Sequence, residues 1–107
     1  MSADAAPIPA INARTLLPPA IQAWALYLQD QGSANNTIKA FTSDLGLLED
    51  YLPADQAIGS ITTNDLNNFL NWMQHERGVA CSPKTLARRI TSLKAFFRWL
   101  PASAVIL

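Results

Sequence analysis

Along four stretches of the chain apolar residues recur at steps of three and four, the spacing of one face of an α-helix, and no stretch reads convincingly as a strand. The first stretch runs from about Pro18 to Gln31 and carries Ile21, Trp24, Ala25 and Leu28. Pro18 and Pro19 suit an opening turn, where no N–H partner is needed, and Gly32 ends it. The second opens at Ser33, which reads as its N-cap, and sets Ile38, Phe41, Leu45, Leu48 and Leu52 on one face before Pro53. Thr62 caps a third helix, with Asp65 placed to favour the N-terminal dipole; Leu66, Phe69, Leu70 and Met73 form its stripe and Gly78 closes it. Ser82 and Pro83 start a fourth, with Leu86, Ile90, Leu93, Phe97 and Leu100 in line before Pro101 terminates it. Helices with one apolar stripe each bury those stripes against one another, so the pattern predicts a compact all-α domain over residues 16–100. Residues 1–15, with Pro7 and Pro9 and no apolar period, read as a flexible leader outside the fold.

Length and composition fit this picture of one domain: 107 residues, 50% hydrophobic, bury a core without disulfides or a structural metal. The single cysteine, Cys81, has no second thiol for a disulfide or a zinc site. No run of apolar residues reaches the length of a membrane span, and the N-terminus lacks the pattern of a secretory signal, so a cytoplasmic location is expected. Catalytic machinery is equally scarce. His75 stands alone near the end of the third helix, Cys81 has no oriented base, the four glycines are scattered, and the adjacent Glu49 and Asp50 point in different directions. Neither an active site nor a cofactor or metal site is expected from these residues.

Charge changes the picture. The formal net charge is zero, yet the residues up to Glu76 hold all eight acids against Arg14 and Lys39, while Arg77, Lys84, Arg88, Arg89, Lys94 and Arg98 follow with no acid among them. Such asymmetry favours an anionic partner. Projected at about 100° per residue, the fourth helix places Lys84, Arg88, Thr91, Ser92, Ala95 and Arg98 opposite its apolar stripe, with Arg89 and Lys94 on the flanks. Arginine and lysine separated by small residues make a surface that a DNA major groove accepts. The second helix repeats the pattern more weakly with Asn36, Lys39 and Ser43, and Asn35, Asn36 and Thr37 occupy its first turn, where free N–H groups attract anions. Two other readings fit the same residues: a solvated basic face, and a docking face for an acidic protein partner with Trp72 and Trp99 as exposed anchors.

Three segments, SANNTIKAFTSDLGLLEDYL, ITTNDLNNFLNWM and SPKTLARRITSLKAFFRWL, resemble in order and spacing the N-terminal core-binding domain of tyrosine recombinases of the phage-integrase and Xer type. The matching positions are Ser33, Asn36, Thr37, Phe41, Asp44 and Leu45 in the second helix and Arg88, Arg89, Ser92, Leu93, Lys94, Phe96 and Phe97 in the fourth. Where members of that family often carry Tyr followed by a basic residue, this chain has Phe41 and Thr42, which shifts the expected burden of binding to the fourth helix. The resemblance implies a four- or five-helix SAM-like orthogonal bundle that binds double-stranded DNA through its second and fourth helices. It is non-catalytic by itself and works with a C-terminal catalytic domain of the same protein and with sibling recombinase subunits on DNA. Residues 101–107 then begin the connector to that catalytic domain, and neither Tyr27 nor Tyr51 matches its nucleophile. The expected contacts are Asn36, Thr37, Lys39, Ser43, Lys84, Arg88, Arg89, Ser92, Lys94 and Arg98.

Overall fold

A computed structural model describes residues 11–75 and 82–105. Gly78, read as the stop of the third helix, and Glu76, Arg77 and Cys81 lie outside the described residues, as do 1–10 and 106–107. The order is β1 (Ile11–Asn12), α1 (Leu17–Asp30), α2 (Asn35–Tyr51), a 3₁₀ turn (Ile58–Ser60), α3 (Thr63–His75), α4 (Pro83–Ser103) and β2 (Ala104–Val105). The four expected helices are present, and among the described residues the only sheet is a two-residue parallel pairing of β1 with β2, Ile11 opposite Ala104 and Asn12 opposite Val105.

α1 begins with its prolines in the first turn and ends in a Schellman closure. The Gly32 N–H donates to the Gln29 carbonyl and the Ser33 N–H to the Leu28 carbonyl, both at 3.0 Å, with Gly32 at φ +83°. Ser33 is thereby committed to closing α1, and the N-cap of α2 is Ala34, which offers no side-chain cap. The expected Ser33 cap is displaced by one residue for that reason. α3 starts as the sequence predicts, with a reciprocal capping box: the Asp65 N–H donates to Thr62 Oγ1 at 3.0 Å and the Thr62 N–H to Asp65 Oδ2 at 2.9 Å. Ser82 caps α4 through the Thr85 N–H at 3.1 Å.

Trp24 is the pivot of the core. Its ring stacks on Phe41 of α2 at 5.2 Å and meets the edge of Phe96 of α4 at 5.3 Å, so one side chain ties three helices. Ala20, Ala23, Leu45, Leu48 and Leu100 are buried in the same core. A second aromatic group, Tyr51, Phe69 and Trp72, fastens α3 to the C-terminal end of α2.

The structure moves both ends of the expected domain outward. Ile11 belongs to the core, Asn12 and Thr15 form a hydrogen-bonded turn, and the chain from Ala13 to Leu16 pairs with the 3₁₀ turn through Gly59 N–H to Ala13 O and Ile58 N–H to Thr15 O. The fold therefore begins by Ile11, inside the stretch expected to be a leader. Gly59 is required there: a Cβ would lie 2.6 Å from that of Ala13. At the other end α4 runs through Pro101 to Ser103 instead of stopping. A proline in the last turn forfeits one helical hydrogen bond, and the burial of Leu100 together with the pairing of β2 on β1 offsets that loss.

Candidate nucleic-acid interface

α4 decides which of its cations can meet a partner. Its buried line is Ser92, Leu93, Phe96, Trp99 and Leu100, while Leu86, Ile90 and Phe97 are half-buried. The inward side is thus turned by roughly 80° from the apolar stripe expected from sequence. The cause lies on α2. Asp44, with a side chain only 2% exposed, accepts a hydrogen bond from Arg88 Nη2 on Oδ1 and one from Ser92 Oγ on Oδ2, both at 2.7 Å. Arg89 Nε stands 3.8 Å from the same Oδ1, and its side chain is 16% exposed. A carboxylate inside a protein requires partners of this kind, since burying an unpaired charge is strongly unfavourable. The polar residues of α4 are drawn inward to meet it.

Two expected contacts are held on the inward side by this geometry. Ser92 is fully buried and spends its hydroxyl on Asp44, so it cannot meet a phosphate or a base. Arg89 is largely covered and balances the Asp44 charge. Arg88 differs from its neighbour: although bound to Asp44, its side chain stays 54% exposed. Lys84, Ala87, Thr91, Lys94 and Arg98 are exposed with it, while Ala95, expected among them, is half-buried against the core. Asn36, Thr37, Lys39 and Ser43 on α2 are exposed as expected. Because no side chain caps α2, the N–H groups of its first turn are open at the surface beside Asn36 and Thr37. Phe41, where the family often has tyrosine, is occupied in the Trp24 stack, and the Thr42 hydroxyl bonds back to the Ile38 carbonyl at 2.9 Å.

The alternative face loses its anchors. Trp99 is 8% exposed and packs on Tyr27 and Phe96, and Trp72 is half-buried against Tyr51 and Phe69. His75 is exposed at the end of α3, and among the described residues no three His, Cys, Asp or Glu side chains gather as a metal site would require. No helix among them is long and apolar enough to cross a membrane. Asp44 is the residue that sequence reasoning underrated, although a lone acid between Phe41, Leu45 and Leu48 on an apolar stripe is a visible signal of a buried ion pair.

The sequence profile of the phage integrase N-terminal SAM-like domain matches residues 21–103. The chain belongs to that family. It is 32% identical over 71 residues to a tyrosine recombinase XerD of Listeria innocua and 31% identical over 71 residues to one of Listeria monocytogenes. Each alignment covers 66% of this chain and 24% of the relative, so the chain spans about a quarter of the length of the recombinases it matches. No solved structure matches it significantly. The matched stretch begins inside α1 and ends with α4, so it contains every residue of the Asp44 cluster and of the exposed cationic face.

Proposed function

We propose that this domain grips duplex DNA as part of a site-specific tyrosine recombinase, with Asn36, Thr37, Lys39 and Ser43 of α2 and Lys84, Arg88, Lys94 and Arg98 of α4 as the contacting residues. The observation that carries the reading is the outward side of α4, which in a member of the integrase family exposes four cations, two small residues and no acid. Lys84 and Arg98 are separated by about 21 Å along the helix axis. That exceeds the roughly 12 Å width of the major groove, so the ends of the helix reach phosphates on both banks while Ala87 and Thr91 leave room at the base edges. The open first turn of α2 adds N–H donors suited to a further phosphate. Cutting and rejoining of strands belong, in this reading, to a C-terminal catalytic domain of the same protein, acting with sibling subunits on the same DNA in the cytoplasm.

Fluorescence anisotropy of a labelled duplex titrated at several salt concentrations tests this. With Lys39, Lys84, Lys94 and Arg98 each neutralising a phosphate, log affinity falls against log salt with a slope of about −3.6. A flat response overturns the proposal.

A further inference from the structure

The sequence places two arginines side by side, and the structure gives them different surroundings. Asp44 Oδ1 faces both: Arg89 lies over it from the covered side, while Arg88 reaches it with Nη2 alone from the exposed side. A guanidinium carries five N–H donors in a rigid plane. One hydrogen bond from Nη2 to a buried acceptor restrains that plane and leaves the remaining donors available at the surface. The acceptor is itself fixed, because Ser92 holds the other carboxylate oxygen at 2.7 Å. The arrangement runs from Ser92 through Asp44 to Arg88, a buried anchor with an exposed end. The other exposed cations of α4 have no such anchor among the interactions of the described residues.

We infer that Asp44 is a positioning residue that presents Arg88 as a fixed fork to a guanine in the major groove. The inference rests on the duplex reading above and goes beyond it, since it assigns sequence preference to one arginine and the setting of that preference to a buried acid on another helix. A fork aimed at guanine O6 and N7 discriminates only if its plane is held; a freely rotating arginine supplies charge and little selectivity.

The test is selection of duplexes from a randomised pool by the 107-residue chain, with Asp44→Asn and Ser92→Ala as variants and circular dichroism melts as the check on folding. The chain itself enriches a position at which guanine is required, and Asp44→Asn lowers that preference about tenfold, within the range of one bidentate arginine–guanine pair. Ser92→Ala lowers it less and carries the test if Asp44→Asn does not fold. In parallel, side-chain NMR of the DNA-free chain shows slow rotation of the Arg88 guanidinium that becomes fast in the variants. Unchanged guanine preference and unchanged rotation in a folded variant overturn the inference while leaving the duplex reading intact. A loss of affinity spread evenly over all sequences also overturns it, placing Arg88 on a phosphate. Failure of the parent chain to bind any duplex, with Arg88 still rigid, overturns the duplex reading and the guanine assignment with it.

Discussion

One helical turn apart along α2 and α4, the Trp24 cluster, which bridges the two helices through α1, and the Asp44 cluster, which joins them directly, hold α2 and α4 in opposite ways. Trp24, Phe41 and Phe96 do so by apolar area and ring contact, which favour close approach without fixing one rotation of α4 about its axis. Asp44, Arg88 and Ser92 do so by two hydrogen bonds of 2.7 Å, which are directional and break if α4 turns. The apolar seam accounts for the helices meeting, and the polar one for which side of α4 is left to solvent. The exposed cationic face is defined by the second.

Removing the apolar pivot gives the largest effect. Trp24→Ala costs about 3–5 kcal/mol, a large share of the roughly 5–15 kcal/mol that holds an ordinary domain folded, and urea denaturation followed by circular dichroism reads it as a steep fall in the midpoint. If the loss is small, the two clusters are not the distinct halves described here. Next in size is Asp44→Ala, which leaves Arg89 covered without its acid and costs about 3 kcal/mol. The comparison sharpens if Asp44→Leu is combined with Arg89→Leu and Ser92→Ala. A buried ion pair replaced by apolar residues is often neutral or better, so the triple variant regains most of the stability while its duplex selectivity stays lost. Recovery of both would contradict the division of labour between the clusters.

A smaller effect contrasts the buried carboxylate with the one in the capping box of α3. Thr62→Ala removes the cap and costs about 1 kcal/mol. The Thr62 backbone N–H, donating to Asp65, holds its carboxyl below the usual value of 3.8; partial desolvation opposes this, and the Thr62 hydroxyl and Gln56 amide add to the lowering. A carboxylate whose folded pKa is depressed stabilises the fold above its unfolded pKa, and that contribution is lost as pH falls through the folded value. Urea midpoints measured from about pH 6 to about pH 2 therefore decline less steeply for Asp65→Asn than for the parent across the acid limb below 3.8. The smallest effect on stability comes from Lys94→Ala with Arg98→Ala. Both residues are exposed and have no part in either cluster, so stability changes by less than about 0.5 kcal/mol, while the salt slope of duplex binding loses about two units.

The four helices were legible because their apolar spacing is local, and so were the Thr62 and Ser82 caps, whose partners lie three residues away. The rotation of α4 was not. Leu86, Ile90 and Phe97 look as fit for the core as Leu93, and only a carboxylate more than forty residues earlier makes Ser92 a better interior residue than Ile90. Of the expected contacts on α4, Arg89 and Ser92 lie on the side drawn toward Asp44 and the others on its far side, while those of α2 are exposed on a helix that this rotation does not touch. The shift of the α2 cap from Ser33 to Ala34 is local: Ser33 closes α1 through its N–H, and α2 opens one residue later.

The pairing of β1 with β2 bears on how the domain answers to force. The two strands are parallel, so the chain before Ile11 and the chain after Val105 leave the pair at opposite ends. Tension applied through those two directions slides the strands past each other, loading their hydrogen bonds together in shear instead of opening them singly. Gly59, pressed against Ala13, and the Thr15–Ile58 hydrogen bond brace the same segment against the body of the domain. The few residues that sequence alone would leave outside the fold are the ones through which a pull on the two paired strands would reach the helices.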